Sequence, residues 1–342
     1  MTTPDWLRKG SFEKRLNILY LAQYAPMAPA FERISFEDDG GYPAYHYNVY
    51  NALCNLGFSV FSARSPSVLL SRAHSIDYVY SLLNRMPVRN SEILVSALCE
   101  YVKLPYLGAC PATRALAEDK LLFKFFAQAQ GIPVPRGASY LKDSTLPDTA
   151  PFSPPYFVKD RKGAASENIT SKNLADNWAE AVSVATSLQK IGKDVLIEEY
   201  CSGVDITVPV VGANPFKILG IVQPCSDAPG GILTHDLKLE DRLGYQLISP
   251  DSFLETTVHI HTEKLWQTFG PIDYFRLDYR YNQATKSLFL LEANICCHFE
   301  AASAIALAAS THDISYPELL QHIVAYSYSR QLGNGQQAEW VL

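Results

Sequence analysis

Residues 275–281 (FRLDYRY) and 287–294 (SLFLLEAN) read as two β-strands joined by a short turn from Asn282 to Lys286. Their alternation is the strongest constraint on the fold. With a period of two, Arg276, Asp278 and Arg280 share one face of the first strand, and Glu292 and Asn294 share one face of the second. The setting is otherwise apolar, so the hairpin needs a sheet with one face in a core and one polar face. Oxygen donors clustered in this way suit Mg²⁺, which takes one or two carboxylates together with phosphates. The alternative is a half-exposed sheet face whose acids pair with Arg276 and Arg280.

The rest of the chain alternates strands and helices, which predicts a mixed α/β (α+β) protein. Strands are expected at 16–22, 58–63 and 77–83. A helix from Pro43 buries Val49, Ala52, Leu53 and Leu56 and stops at Gly57. Asn90 or Ser91 caps a helix with the stripe Leu94, Ala97, Leu98 and Tyr101. One helix is expected over 114–130 with Leu122, Phe125, Phe126 and Ala129 inward, and Gly131 stops it. A strand ends at Lys159, and a small polar loop follows. A helix is placed around 172–190, strands at 195–200 and 205–211, and a helix near 299–309. The last helix opens with Ser315 and Glu318 at capping-box spacing and carries Leu319, Ile323 and Tyr326.

At 342 residues the chain is long enough for two or three domains. A net charge of −6 argues against nucleic acid or an anionic membrane as the main partner. No apolar run approaches the ~20 residues of a membrane span. The polar start and the seven scattered cysteines, without a C-x-x-C pair, predict a reduced, cytoplasmic protein with no signal peptide. Lys120 stands at a helix start, and Lys159 ends a strand before a small-residue loop. Such lysines either cradle phosphate together with backbone N–H groups or lie on an ordinary surface.

Taken together, LPYLGACPATRALAEDKLLFKFFAQAQGIPVP, YFVKDRKGAAS, VLIEEYCSGVDITV, HDLK, FRLDYR and LLEAN fall in the order seen in ATP-grasp enzymes. More narrowly, the chain resembles the D-alanine–D-alanine ligase group from about residue 16 to 328. The resemblance implies an ATP-grasp fold of three domains (1–113, 114–205 and 206–342), with ATP between the central and C-terminal ones and two Mg²⁺ ions. It implies that Lys120, Lys159 and Lys238 contact phosphates and that the loop from Gly163 to Ser166 closes over them. Glu198 would hold the adenine amino group and Asp205 the ribose. Asp278, Glu292 and Asn294 match the metal ligands. Arg276 matches the arginine that steadies the oxyanion, and Ser303 a serine that binds the acceptor carboxylate. A homodimer built through the first domain is also implied.

The departures bear on substrate. The family's glutamate for the ammonium of the first D-alanine is here Tyr45, and its Leu-His-Gly turn is Leu83-Asn84-Arg85. A neutral phenol does not neutralise an ammonium as a carboxylate does. His298 replaces a glycine beside the oxyanion site and has three open roles: catalytic, substrate-contacting or pointing aside. Cys296 and Cys297 are expected as packed thiols. The chain is similar to the branch of cyanobacterial ligases that finish mycosporine-like amino acids, joining a small free amino acid such as serine or threonine to mycosporine-glycine. Tyr45, His46 and Asn84, with Tyr42, Tyr47 and Tyr50 nearby, would then face a flat donor ring. The competing readings are a D-alanine–D-alanine or other dipeptide ligase, and a nucleotide-binding sensor or scaffold without catalysis.

Overall fold

The computed structural model describes residues 4–8, 15–24, 42–83, 91–163, 168–225 and 244–334. Three sheets organise the chain. The first is parallel, in the order β2-β1-β3, from β1 (Asn17–Leu21), β2 (Ser59–Ala63) and β3 (Tyr78–Ser81). Helix α1 (Tyr42–Asn55) covers it with Val49 and Leu53 fully buried and Ala52 and Leu56 partly so, which is the stripe expected. Gly57 follows in the left-handed region at φ 87°. A short helix, α2 (Val68–Arg72), which the sequence pattern does not announce, lies between β2 and β3.

Helix α3 (Leu94–Tyr101) exists as expected but is rotated. Val95, Ser96 and Cys99 are buried, whereas Tyr101 is 80% exposed. The chain enters it through a 3₁₀ turn, Ser91–Ile93. That turn advances about 120° per residue instead of 100°, which moves the buried stripe by one position.

The helix expected over 114–130 is two helices, α4 (Pro111–Glu118) and α5 (Lys120–Ala129). Pro111 suits a first turn. Asp119 leaves helical geometry (φ −92°, ψ 100°) and accepts from the N–H groups of Leu121 and Leu122. This second N-cap resets the phase. Phe123 and Ala127 are buried, whereas Leu122 and Phe125 face solvent. Arg161 grips the same carboxylate with two 2.8 Å bonds, tying the start of α5 to the loop after Lys159.

The second sheet is antiparallel, in the order β4-β7-β5-β6, from β4 (Gly137–Tyr140), β5 (Tyr156–Asp160), β6 (Leu174–Ala175) and β7 (Val195–Glu199). Helix α6 packs on it but spans only Trp178–Lys190, capped by Asn177. Residues 172–175, expected at its start, belong to a 3₁₀ turn (Ser171–Asn173) and β6 instead.

The third sheet holds six strands: β8 (Val204–Gly212), β9 (Phe216–Ile218), β10 (Val222–Cys225), β11 (Gly244–Leu247), β12 (Tyr274–Asn282) and β13 (Ser287–Asn294). Its order is β11-β10-β8-β12-β13, with β9 beside β8. The long helix α7 (Ser252–Phe269), absent from the sequence reading, covers one face. The helix expected near 299–309 begins only at α8 (Ala304–Ser310), because Ser303 caps it, and α9 (Tyr316–Asn334) follows.

The cores cross the expected domain limits. Residue 205 lies inside β8. Leu319, Leu320, Ile323 and Val324 of α9 share a core with Ile18, Tyr20, Tyr78 and Tyr80 of the first sheet. Phe123 and Ala127 of α5 pack with the third sheet. No helix among the described residues is long and apolar enough to cross a membrane. None of the seven cysteines forms a disulfide.

Three histidines, His46, His261 and His322, are buried in these cores, and burial lowers each to about 4. His322 Nδ1 accepts from the Arg8 N–H at 2.8 Å, and Nε2 lies 2.8 Å from the Gly212 carbonyl, so the neutral ring satisfies both. The unfolded chain takes up protons near 6.5 and the folded one near 4, so stability falls as pH falls between those values. Each histidine is expected to cost about 2 kcal/mol between pH 7 and pH 5. Urea unfolding across that range checks this, and His322→Gln should flatten the slope by one histidine's share.

Candidate active site

A cleft of about 160 Å³ opens between the second and third sheets. Lys159, Gly163 and Glu198 line it from one side, and Asp205, Asp278 and Glu292 from the other. The groups expected to meet ATP and metal therefore share one space.

The deepest feature is a buried carboxylate between two lysines. Glu198 lies 2.6 Å from Lys159 Nζ and 2.9 Å from Lys124 Nζ, and their side chains are at most 9% exposed. Burial alone would raise the Glu198 carboxyl, but the two ammonium groups hold it below its usual range. Burial pulls Lys124 down to about 8, with Glu198 opposing. Lys124 also donates to the Leu291 carbonyl at 2.9 Å, so it links β7 to β13. Lys120, one helical turn earlier on α5, points the same way. It reaches the Gly163 carbonyl and lies 3.4 Å from Glu292. At Gly163 an added Cβ would come within 2.9 Å of Asp160, so the loop's approach to the strand end requires glycine.

On the opposite wall, a bulge sets the carboxylates. Asp278 opposes Glu292, whereas Tyr279 opposes Leu290, so β13 carries one extra residue, Leu291. Leu288 and Leu290 point into the core, and Leu291 and Glu292 both line the cleft. Without the extra residue, Glu292 would follow their phase into the core.

Asn294 Nδ2 donates to Asp278 at 2.8 Å and to Glu292 at 3.2 Å, bringing the three expected metal ligands together. Thr207 donates to Asp278 at 2.8 Å. Arg276 lies 3.2 Å from the same carboxylate, which outweighs the effect of burial and keeps the guanidinium charged. Among the described residues, no group of three or more His, Cys, Asp and Glu side chains forms a metal site. Two carboxylates and an amide oxygen are hard donors that leave room for water and phosphate, which fits Mg²⁺.

The expected substrate end lies where α1 meets the segment after β13. Tyr45 is buried and its hydroxyl accepts the Phe299 N–H at 3.2 Å. His46 is enclosed by Tyr24, Tyr42 and Tyr45, and its Nδ1 accepts the Tyr24 N–H at 3.3 Å. His298 stands edge-on to Tyr45, with 4.1 Å between ring centroids, and its Nε2 lies 3.3 Å from Glu300. Asn48 Nδ2 reaches Glu300 at 3.5 Å. Hydrogen bonding from His298 holds Glu300 below the usual carboxylate range. The Ser303 hydroxyl caps α8 at the Ala306 N–H and donates to the Glu300 carbonyl at 2.7 Å. Cys296 accepts from Arg114 at 2.7 Å, and burial pushes the Cys297 thiol up to about 12.

Asn84, Ser166 and Lys238 lie outside the described residues. Lys124, Thr207 and Glu300 join the site without having stood out in the sequence. Of these, only Lys124 carries a signal, as a lysine four residues after Lys120 on one helix face. Deleting Leu291 is expected to cost several kcal/mol more than Leu291→Ala, because deletion turns Glu292 toward the core without a partner. Denaturant unfolding of the two variants measures the difference.

The family described as "D-ala D-ala ligase C-terminus" matches residues 129–325, more than half of the chain. A D-alanine–D-alanine ligase of Maridesulfovibrio salexigens is 24% identical over 282 residues, 81% of this chain and 90% of that protein. An uncharacterised protein, y4sG, of Sinorhizobium fredii is 26% identical over 245 residues, 70% of this chain and 71% of that one. Among solved structures, the D-alanine–D-alanine ligase of Bacillus anthracis complexed with ATP superposes with a TM-score of 0.72 at 18% identity, covering 94% of this chain and 100% of that one. The VanG D-Ala:D-Ser ligase of Enterococcus faecalis gives 0.67 at 13% identity, covering 92% and 100%. The fold is thus the ATP-grasp α/β architecture of these ligases, and the chain belongs to the D-alanine–D-alanine ligase C-terminal family.

Proposed function

We propose that this chain is an ATP- and Mg²⁺-dependent ligase that forms a C–N bond between a donor and the amino group of a small free amino acid. The observation that carries this reading is the convergence of Lys120, Lys159, Asp278 and Glu292 on one cleft. Phosphoryl transfer needs positioning and charge neutralisation more than covalent help from the protein. Lys120 and Lys159 hold ATP phosphates. Asp205 takes the ribose, and Glu198, whose acceptor sites two lysines do not exhaust, takes the adenine amino group. Asp278, Glu292 and Asn294 hold Mg²⁺, which supplies charge neutralisation at the phosphates. Arg276 steadies the oxyanion formed when the amine attacks the phosphorylated donor.

The acceptor amine must lose a proton. His298 is the group we assign to this, with Ser303, on the same segment, receiving the acceptor carboxylate by turning its hydroxyl away from the Glu300 carbonyl. Glu300 beside Nε2 favours the tautomer that leaves Nδ1 as acceptor. This is the same relation by which a carboxylate orients a histidine base in other enzymes.

The D-alanine–D-alanine ligases among the relatives make D-alanine the first donor to test and support an amino-acid or dipeptide ligase. One observation favours a second donor class. Tyr45 takes the place of the family's ammonium-binding glutamate, and its hydroxyl is engaged by the Phe299 N–H. A donor with a conjugated nitrogen, such as mycosporine-glycine, needs no carboxylate there.

ADP release with Mg-ATP separates the readings. D-alanine alone is compared with mycosporine-glycine plus serine, threonine or glycine. Turnover with D-alanine alone supports a D-alanine–D-alanine ligase. Turnover only with mycosporine-glycine, with a red-shifted ultraviolet product, supports the second class. Tight ATP binding with no ADP release from any pair contradicts a ligase acting on these donors and favours a nucleotide-binding scaffold.

A further inference from the structure

The chain crosses from one wall of the cleft to the other through residues 200–203, between β7 and β8. This crossing lies against the end of β12. Gly203 sits at φ 128°, and a Cβ there would stand 2.2 Å from the Tyr281 carbonyl oxygen, so the backbones touch only because the residue is glycine. Asn282 Nδ2 donates to Ser202 Oγ at 2.9 Å.

Arg280 makes the densest contacts. Its Nε donates to the Cys201 carbonyl at 3.0 Å, Nη2 to the Tyr200 hydroxyl at 2.6 Å and Nη1 to the Asp205 carboxylate at 2.8 Å. The guanidinium also lies 5.2 Å from the Tyr200 ring centroid, and the side chain is 5% exposed. Arg280 and Asp205 are direct partners in the β12–β8 ladder. Tyr200, Cys201, Asp205 and Arg280 all line the cleft.

A guanidinium fixed by three different acceptors presents a rigid fork. The carboxylate it holds loses its rotation, and a carboxylate has about four acceptor sites, more than the bond to the guanidinium uses. A carboxylate locked in this way is prepared to accept two hydroxyl groups of a vicinal diol at once. A 2′-deoxy sugar leaves one of those acceptors unfilled in a partly desolvated place, which costs binding.

We propose that Arg280 is a positioning residue that locks Asp205 for the ribose diol, so that the cleft selects ribonucleotides over 2′-deoxyribonucleotides. This rests on the nucleotide reading of the cleft given above. A role confined to stapling the crossing would make Arg280 equally important to every nucleotide.

Calorimetric titration of the native protein with Mg-ATP and Mg-2′-deoxy-ATP decides between these roles. The native protein is expected to prefer ATP about tenfold. Arg280→Met should collapse that preference to within about twofold, mainly by weakening ATP, while Arg280→Lys restores it only in part. Asp205→Asn, which leaves the crossing's bonds to Arg280 Nε and Nη2 in place, should give the same collapse. Equal loss for both nucleotides in Arg280→Met, an unchanged ratio in Asp205→Asn, or no preference in the native protein each overturns the proposal. Failure of the nucleotide reading itself would look different, because neither nucleotide would then bind the native protein.

Discussion

The site depends on one buried carboxylate, Glu198, held between Lys124 and Lys159. Each lysine belongs to a different part of the molecule. Lys159 is the penultimate residue of β5 in the second sheet, whereas Lys124 comes from α5, which packs with the third sheet. Removing a charge from water is costly unless its partners are close and fully bonded. Within this arrangement, the two sheets must meet at a separation that lets both ammonium groups reach one carboxylate. Lys124 adds the Leu291 carbonyl to the same knot. The width of the cleft and the position of β13 are thus set at one point.

That strand contributes the second constraint. In a sheet with one face in the core, phase is binary: a residue faces in or out. The bulge at Leu291 switches β13 from one phase to the other, so leucines fill the core along its first half and Glu292 and Asn294 face Asp278 along its second. Lys120 and Arg276 then balance the gathered negative charge. Several elements bring these charges together, and β12 supplies one of each sign in Arg276 and Asp278.

Much of this is legible in the residues, and the exceptions have physical causes. The period-two pattern of 275–281 and 287–294 places Asp278, Glu292 and Asn294 together, because alternation survives in any sheet with one polar face. The bulge that makes this possible is not visible there, since Leu291 reads as one more apolar residue. Helix phase is the other loss. The stripes expected for α3 and α5 are both displaced, by the 3₁₀ entry at Ser91–Ile93 and the cap at Asp119. Each moves the buried face of a helix by one position, which a periodicity count does not register. Lys124 escapes notice for a related reason. A buried cation is identified by its partners, and Glu198 is distant from it in sequence.

The proposed function makes this knot of charges a nucleotide and metal site. A crystal structure of the chain with Mg²⁺ and the non-hydrolysable analogue adenylyl imidodiphosphate would test that. Phosphate density is expected against Lys120 and Lys159, the ribose at Asp205, and magnesium at Asp278, Glu292 and Asn294. Nucleotide bound elsewhere, or phosphates in the cleft with those three side chains still bonded only to one another, would contradict it.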